Sequence, residues 1–274
     1  MGKQVNVNFH LTFKPEKQYI SSILELAGNI SKGITVKEIS SSTGIPQGES
    51  SGKVEPHINY ATYMGLIDFK KEDGKIYLSQ TELGKTVFME DPGLQEKLTL
   101  LMCHAMMLRK DNGADVWYSC FKEIFPKYSD SIGRDILIKE LSNIYDNKVN
   151  IKNFAPFASS YEDMFSILDI LRINSDKFKY VPMQYDKEFI YLYAYILISY
   201  WEELFFDQAE ISSIQFEKLG FGKSFCWDAN TEYEVLEKLS DKGMIRMNRQ
   251  LMPYTILKLT DKDELLNKLY SELC

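Results

Sequence analysis

The stretch that decides the fold runs from Thr35 to Thr81, TVKEISSSTGIPQGESSGKVEPHINYATYMGLIDFKKEDGKIYLSQT. Its first part predicts a short helix in which Val36 and Ile39 face inward. Gly44 is expected to end this helix, because glycine accepts the backbone conformation that follows a last helical turn.

A longer helix is predicted after the polar loop. Apolar residues at spacings of four, three and three form its buried stripe: Val54, Ile58, Ala61 and Met64. Ser50 and Ser51 are candidate N-caps, Pro56 is tolerated near a first turn, and Gly65 ends the helix.

Two short strands follow, at 67–71 and 75–78, and Asp73-Gly74 between them is typical of a β-hairpin turn. Upstream, KQYISSILELAG at 17–28 has the apolar spacing of an amphipathic helix. The order helix, helix, helix, hairpin predicts a winged helix-turn-helix over residues 1–90.

Charge is distributed unevenly along the 274 residues. Residues 1–80 have a net charge of +1 and the rest a net charge of −8, so the whole chain carries −7. Such a chain is not expected to coat nucleic acid over its whole surface. If the protein contacts duplex DNA, the first 80 residues are the candidate, and the acidic remainder is expected to face protein partners.

The middle of the chain, 91–206, is predicted to be a helical domain. Its segment 160–173, SYEDMFSILDILRI, is interpreted as one further helix, and a short strand is expected at 178–181. The apolar run FIYLYAYILISYW at 189–201 is interpreted as a buried central helix, because it is too short for a typical membrane span.

The last part, 207–274, repeats features of the first. A helix capped by Asn230 or Thr231 is expected to run to Lys242, and a strand, a break and a second strand follow. Gly243 aligns with Gly65. These features predict a winged-helix-like subdomain that no longer recognises DNA. The protein as a whole is predicted to be mainly α.

No catalytic, metal or cofactor motif stands out. The three histidines lie in separate segments, the four cysteines form no paired motif, and no phosphate-binding loop or nucleophile elbow occurs. His104 and Cys103 are interpreted as core residues. Without an evident signal peptide, the chain is expected to be cytoplasmic, with reduced thiols and no membrane contact.

The candidate DNA contacts cluster around the third helix and the hairpin. They comprise phosphate contacts at the start of the helix, base contacts along it and lysines on the wing: Gln47, Ser50, Ser51, Gly52 and Lys53; His57, Asn59 and Tyr60; Lys70, Lys71 and Lys75. The alternative is that a winged helix here mediates protein contacts only.

Three segments resemble the family catalogued as domain of unknown function 4007. They are TGIPQGESSGKVEPHINYATYMGLI at 43–67, LSQTELGKTVFMEDPGLQEKLTLLMCH at 78–104 and ADVWYSCFKEIFP at 114–126. His10-Leu11-Thr12-Phe13 is similar to the family's opening His-Glu-Thr-Phe, with Leu11 in place of Glu, and Lys14-Pro15-Glu16 replaces the usual Pro-x-Arg. The resemblance implies a bacterial or archaeal protein encoded near DNA phosphorothioation or phage-defence genes, and a DNA-nicking role.

The favoured hypothesis is therefore a DNA-binding component of a DNA modification or antiviral defence system, which acts with other proteins of that system. Three alternatives stay open: a nicking endonuclease, a winged-helix transcriptional regulator acting as a homodimer, and a protein-only adaptor. A nickase would need clustered carboxylates around a divalent metal, or a nucleophile with a base. The linear sequence shows neither.

Overall fold

The computed structural model describes residues 5–48, 52–250 and 252–273. The protein is mainly α, with small antiparallel sheets. Helices α1 to α6 are Lys17–Asn29, Val36–Thr43, Val54–Tyr63, Glu82–Glu90, Lys97–Met107 and Asp115–Tyr118. Helices α7 to α12 are Arg134–Ile144, Ile151–Glu162, Ile190–Leu204, Ser213–Leu219, Ala229–Asp241 and Lys262–Lys268.

The strands are short. Strands β1 to β8 are Ile67–Glu72, Lys75–Gln80, Ser131–Gly133, Leu171–Asn174, Lys177–Tyr180, Glu210–Ser212, Ile245–Asn248 and Thr255–Lys258. They form one hairpin, β1-β2, and two three-stranded sheets with the orders β3-β5-β4 and β6-β8-β7.

The helices and hairpin of the first 80 residues lie where the sequence predicts them. The side chain of Thr35 accepts a hydrogen bond from the amide of Glu38, and the Glu38 carboxylate accepts one from the amide of Thr35, so α2 begins with a capping box. Gly44, with a φ of 72°, ends this helix. The stripe Val54, Ile58, Ala61 and Met64 is buried, as expected.

Gly65 and Gly243 occupy equivalent places. Each lies between a helix and the first strand of a hairpin, and each has a φ of 74°, a left-handed conformation that favours glycine. The predicted strands 245–248 and 255–258 are present. The cap of α11 is Asp228, not Asn230 or Thr231, because the Asp228 carboxylate accepts a hydrogen bond from the amide of Thr231.

The middle of the chain is not purely helical, and the interpretation of 160–173 as one helix is wrong. Helix α8 stops at Glu162, Asp169 takes a left-handed φ of 50°, and β4 begins at Leu171. Strand β4 pairs with β5, and the pair includes Leu171 opposite Tyr180. Strand pairing and burial in the sheet override a helical spacing that extends over only a few residues.

One order of elements therefore occurs three times. The first unit has α1, a single β-bridge between Ile34 and Ile76, α2, α3, β1 and β2. The middle unit has the helical segment 115–127, then β3, α7, α8, β4 and β5. The last unit has α9, β6, α10, α11, β7 and β8. The relation that the sequence indicates between the two ends extends to the middle.

Helix α9 is the predicted central helix. It is buried on nearly all sides from Ile190 to Trp201 and packs against α5, α10 and α12. Together with α5 it joins the three units through one continuous hydrophobic core. No helix in the described ranges is both long and apolar enough to cross a membrane.

A segment that we call the N-terminal strap, residues 5–16, runs between α3 and the middle unit. Val7, Phe9 and His10 of the strap are buried. The main-chain amide of Asn6 donates to the Asp115 carboxylate over 2.7 Å, and Lys14 forms an ion pair with Asp163. The strap therefore fastens the first unit to the middle one.

Candidate nucleic-acid interface

The outer face of the β1-β2 hairpin carries cationic side chains. Side chains alternate between the two faces of a strand, and the cross-strand pairs on this face include Lys70 with Tyr77 and Glu72 with Lys75. The Lys70 ammonium lies 4.9 Å from the centre of the Tyr77 ring, and its side chain is 68% exposed.

The chain that leads into α2 lies against this face. A Cβ on Gly33 would lie 2.5 Å from Cζ of Tyr77 and 3.0 Å from Cβ of Lys75, so only a residue without a side chain fits this close approach. The exposed Lys32 is thereby placed beside the hairpin, and a groove of about 290 Å³ is lined by Lys32, Lys70 and Tyr77. We call Lys32, Lys70, Lys75 and Tyr77 the hairpin patch.

Two lysines of the hairpin patch, Lys32 and Lys75, form no close ion pair among the described residues, although the Glu38 carboxylate interacts with both at longer range. Among the described residues, no carboxylate lies within 4 Å of the ammonium groups of Lys32 and Lys75. Lys70 lies 3.2 Å from Glu72, but both side chains are mostly exposed, and such pairs are weak in water. Sequence reasoning missed Lys32 because only the fold brings it to the hairpin; an isolated lysine before a glycine carries no sequence signal.

Two of the predicted contact lysines form ion pairs within the protein. The Lys53 ammonium lies 2.7 Å from the Glu16 carboxylate and 5.3 Å from the centre of the Tyr19 ring. Lys71 lies 2.6 Å from Glu55. The Lys53 pair is mostly buried, so the charge that Lys53 can offer to a phosphate is reduced. Lys71 and Glu55 are about half exposed, so their pair is weaker in water.

The expectation that His57, Asn59 and Tyr60 project toward DNA is not met in this structure. His57 and Tyr60 are fully buried, and Asn59 is half-buried. Each contacts the N-terminal strap instead: the Asn59 amide donates to the Phe9 carbonyl and the Tyr60 hydroxyl to the Phe13 carbonyl, both over 3.0 Å. The strap covers the face of α3 that spacing alone would leave open.

His57 is held as a neutral imidazole. Its Nδ1 lies 2.7 Å from the Lys53 carbonyl, to which it donates, while Nε2 accepts from the Glu16 amide over 3.2 Å. Burial lowers the pKa of His57 below its ordinary value, since a charged ring would lose its hydration. This histidine therefore links α3 to the strap.

The loop before α3 is only partly described. Gln47 and Gly52 form a β-bridge, whereas Ser50 and Ser51 lie outside the described residues. The N-cap position of α3 is Lys53. The described atoms nearest to a Cβ on Gly52 would be those at the movable end of the Gln47 side chain.

His104 and Cys103 are core residues, as the sequence indicates. His104 is fully buried, with Nδ1 2.8 Å from the Tyr161 hydroxyl and Nε2 2.9 Å from the Ser224 carbonyl. Burial raises the pKa of the Cys103 thiol to about 12. In the part of the chain that the structure describes, no three His, Cys, Asp or Glu side chains are grouped so that they could hold a metal ion.

The whole fold is similar to that of SspB. A magnesium-bound crystal structure of SspB matches with a TM-score of 0.74 and 13% sequence identity, and another SspB crystal structure with 0.76 and 14%. Each match covers 99% of this chain and 88% of the SspB chain. At this identity the likeness shows a shared fold. No family model and no curated protein matches the sequence.

Proposed function

We propose that this protein is a DNA-contacting component of a prokaryotic DNA modification system of the phosphorothioation type, or of a related antiviral defence system. The first unit takes the part of a winged helix, and the hairpin patch binds the phosphates of duplex DNA. Other proteins of the same system are its partners. The hairpin patch is the observation that carries this proposal.

The charge arrangement supports contact through the hairpin rather than through α3. Three lysines lie around the half-buried Tyr77 ring, within the first 80 residues, which carry a net charge of +1 against −8 for the rest of the chain. Phosphate contacts need exposed cations and tolerate any base sequence, so such a patch favours binding with little sequence preference. Helix α3, buried on most sides, is poorly placed to enter a major groove.

Salt dependence of DNA binding tests the proposal. Each phosphate contact contributes about 0.9 to the slope of log affinity against log salt, so Lys32→Ala, Lys70→Ala and Lys75→Ala together should lower that slope by about 2 to 3. The measurement is fluorescence anisotropy of a labelled duplex over a range of salt concentrations.

A matched control separates the patch from net charge. Lys139, Lys148 and Lys218 are exposed, lie outside the first unit and have no carboxylate within 4 Å among the described residues. Their replacement by alanine changes the charge equally and should leave the slope close to that of the wild type. Equal slopes for wild type and patch variant would contradict the proposal.

A further inference from the structure

The outer face of the β3-β5-β4 sheet also carries cationic side chains. Along β4 and β5, more buried and more exposed residues alternate, so the exposed side chains share one face of the sheet. The cross-strand pairs on this face are Arg172 with Lys179 and Asn174 with Lys177. We call Arg172, Asn174, Lys177 and Lys179 the middle-sheet face.

The register of the strands fixes how close these cations lie. Residues directly opposite each other have Cβ atoms about 5 Å apart, and residues two apart on one strand are separated by about 6.5 Å. Lys179 is therefore a neighbour of Arg172 across the ladder and of Lys177 along β5. Because β5 is the central strand, it also pairs with β3, where Ser131 lies opposite Lys179. Gly133 lies opposite Lys177 and has no side chain that could cover it.

Two carboxylates lie beside the middle-sheet face. Asp169 forms an ion pair with Arg172, and Asp130 lies 3.7 Å from the Lys179 ammonium. All four side chains are more than half exposed, and ion pairs of this kind contribute little in water. A phosphate group can therefore compete with these carboxylates for both cations.

Lys177 has the most accessible charge of the three cations. In the described ranges, no carboxylate lies within 4 Å of its ammonium group. The carboxylate of the adjacent Asp176 lies 3.7 Å from Arg134 instead, and Arg134 also donates to the Ser175 carbonyl over 2.9 Å. The turn thus supplies its own cation to Asp176, and Lys177 can receive an anion from outside.

The first unit carries cations at the same positions. The β1-β2 and β4-β5 hairpins both have a two-residue turn, so their positions can be matched from the register. Two outward-facing positions are cationic in both hairpins, the first residue after the turn and the third residue before it: Lys75 and Lys70 in the first unit, Lys177 and Arg172 in the middle unit.

The last unit shows that the fold does not require these cations. The outward-facing pairs of its β7-β8 hairpin are Arg246 with Leu257 and Asn248 with Thr255, with a single cation between them. A cationic outer face is therefore a property of the first and middle units, and one explanation can serve for both.

We propose that the middle-sheet face binds the phosphates of DNA, as a second contact surface in addition to the hairpin patch. Lys177 and Lys179 each contact a phosphate, and the planar guanidinium of Arg172 offers a pair of donors to another. Asn174 donates to an oxygen of the backbone. The proposal rests on the proposed function, because it assigns the same ligand to a second surface.

The composition of the middle-sheet face favours DNA over a protein partner. Its four members include no aromatic or aliphatic side chain of the kind that anchors most protein interfaces. Exposed cations and amides are the groups that contact the sugar-phosphate backbone. Such contacts are insensitive to base sequence, so the second surface is expected to raise affinity without adding sequence preference.

The hairpin-patch variant Lys32→Ala, Lys70→Ala, Lys75→Ala is the background for the test, because its remaining DNA contacts lie elsewhere. Adding Arg172→Ala, Lys177→Ala and Lys179→Ala should lower the slope of log affinity against log salt by a further 2 to 3, at about 0.9 for each phosphate contact. The measurement is fluorescence anisotropy of a labelled duplex. The thermal midpoint should stay unchanged, since all three side chains are exposed.

Two control variants in the same background separate the surface from net charge. Lys139, Lys148 and Lys152 are exposed residues of the middle unit that lie outside its sheet, and their replacement by alanine should leave the slope unchanged. The charge-conserving change Arg172→Lys, Lys177→Arg, Lys179→Arg should also keep the slope of the background. An unchanged slope in the alanine variant of the middle-sheet face, or an equal loss in the lysine control, would overturn the inference.

The same measurements distinguish failure of this inference from failure of the proposed function. If the hairpin-patch variant has a lower slope than the wild type and the added changes lower it no further, only the inference fails. If the wild type does not bind the duplex, both fail. If only the changes in the middle-sheet face lower the slope, the inference stands and the hairpin patch is removed from the interface.

Discussion

His10 and His104 are fully buried, and burial lowers the pKa of each to about 4. Between pH 6.5 and pH 4 the unfolded chain binds protons on these rings and the folded chain does not. The contribution of the two neutral rings to the free energy of unfolding is therefore fully present above pH 6.5 and is lost as the pH falls toward 4. For each ring, the free energy of unfolding should fall by on the order of 3 kcal/mol between these two pH values.

Urea unfolding at pH 7 and at pH 4 checks this prediction. His104→Gln removes one titrating ring, so the free energy of unfolding of this variant should fall less between the two pH values than that of the wild type. Parallel pH profiles for the two proteins would show that the ring is not kept neutral by the fold.

Tyr60 provides a test of the predicted base contacts. Tyr60→Phe removes a hydroxyl that donates to the Phe13 carbonyl inside the protein, and should lower the free energy of unfolding by about 1 kcal/mol. Since the ring faces the N-terminal strap, duplex affinity should stay within twofold of the wild type. A large loss of affinity with unchanged stability would restore Tyr60 as a base contact.

The burial of Tyr60 is an example of a side-chain environment that the sequence alone did not predict. The stripe from Val54 to Met64 follows from spacing alone, and the structure confirms it. The spacing of apolar residues cannot show that the N-terminal strap, some 50 residues earlier in the chain, covers the opposite face of α3. The partners of Asn59 and Tyr60 lie at Phe9 and Phe13, and only the folded chain brings them together.

Helix α4 depends on a close approach to the base of the hairpin. A Cβ on Gly84 would lie 1.8 Å from the main-chain oxygen of Leu66, which cannot move aside as a side chain does. Gly84→Ala should therefore shift α4 and cost about 1 to 3 kcal/mol of stability, as overpacking does in other cores. Differential scanning calorimetry measures the loss as a lower thermal midpoint.

Gly52→Ala is the matched control, because the described atoms nearest to its added Cβ are those at the end of the Gln47 side chain. Its thermal midpoint should stay close to that of the wild type. If the loop before α3 also holds a phosphate on its main-chain amides, Gly52→Ala should weaken duplex binding by roughly 1 to 3 kcal/mol. Normal binding would remove the loop from the interface and leave the hairpin patch alone.

The hairpins and the helices with strong end signals could be predicted from the sequence. Asp73-Gly74 marks a turn, and Gly65 and Gly243 mark equivalent corners. Of the middle sheet, only the strand expected at 178–181 could be predicted, and it is present as β5. Strands β3 and β4 could not, because β3 has three residues and β4 four, too few for an alternation of polar and apolar residues to stand out. Strands of that length are stable only through the partner that pairs with them.

Across the whole molecule, the N-terminal strap is expected to couple the first two units. The centre of the Phe9 ring lies 4.6 Å from the centre of the Tyr63 ring in α3 and 5.8 Å from the centre of the Trp117 ring in the middle unit. Phe9→Ala should cost about 3 to 5 kcal/mol, because it leaves a cavity between the units. Urea unfolding measures the loss, and Leu11→Ala, exposed in the same strap, should change stability by less than about 0.5 kcal/mol.

Three units with one element order are what repeated duplication of a single ancestral segment would leave behind. In the present copies the helices that correspond to one another have diverged in use: α3 and α8 are mostly enclosed by neighbouring chain, and α11 is exposed but rich in glutamate. Each copy has kept its hairpin at the surface. Contact with other molecules is then left to the loops and hairpins, which can change sequence without disturbing the core.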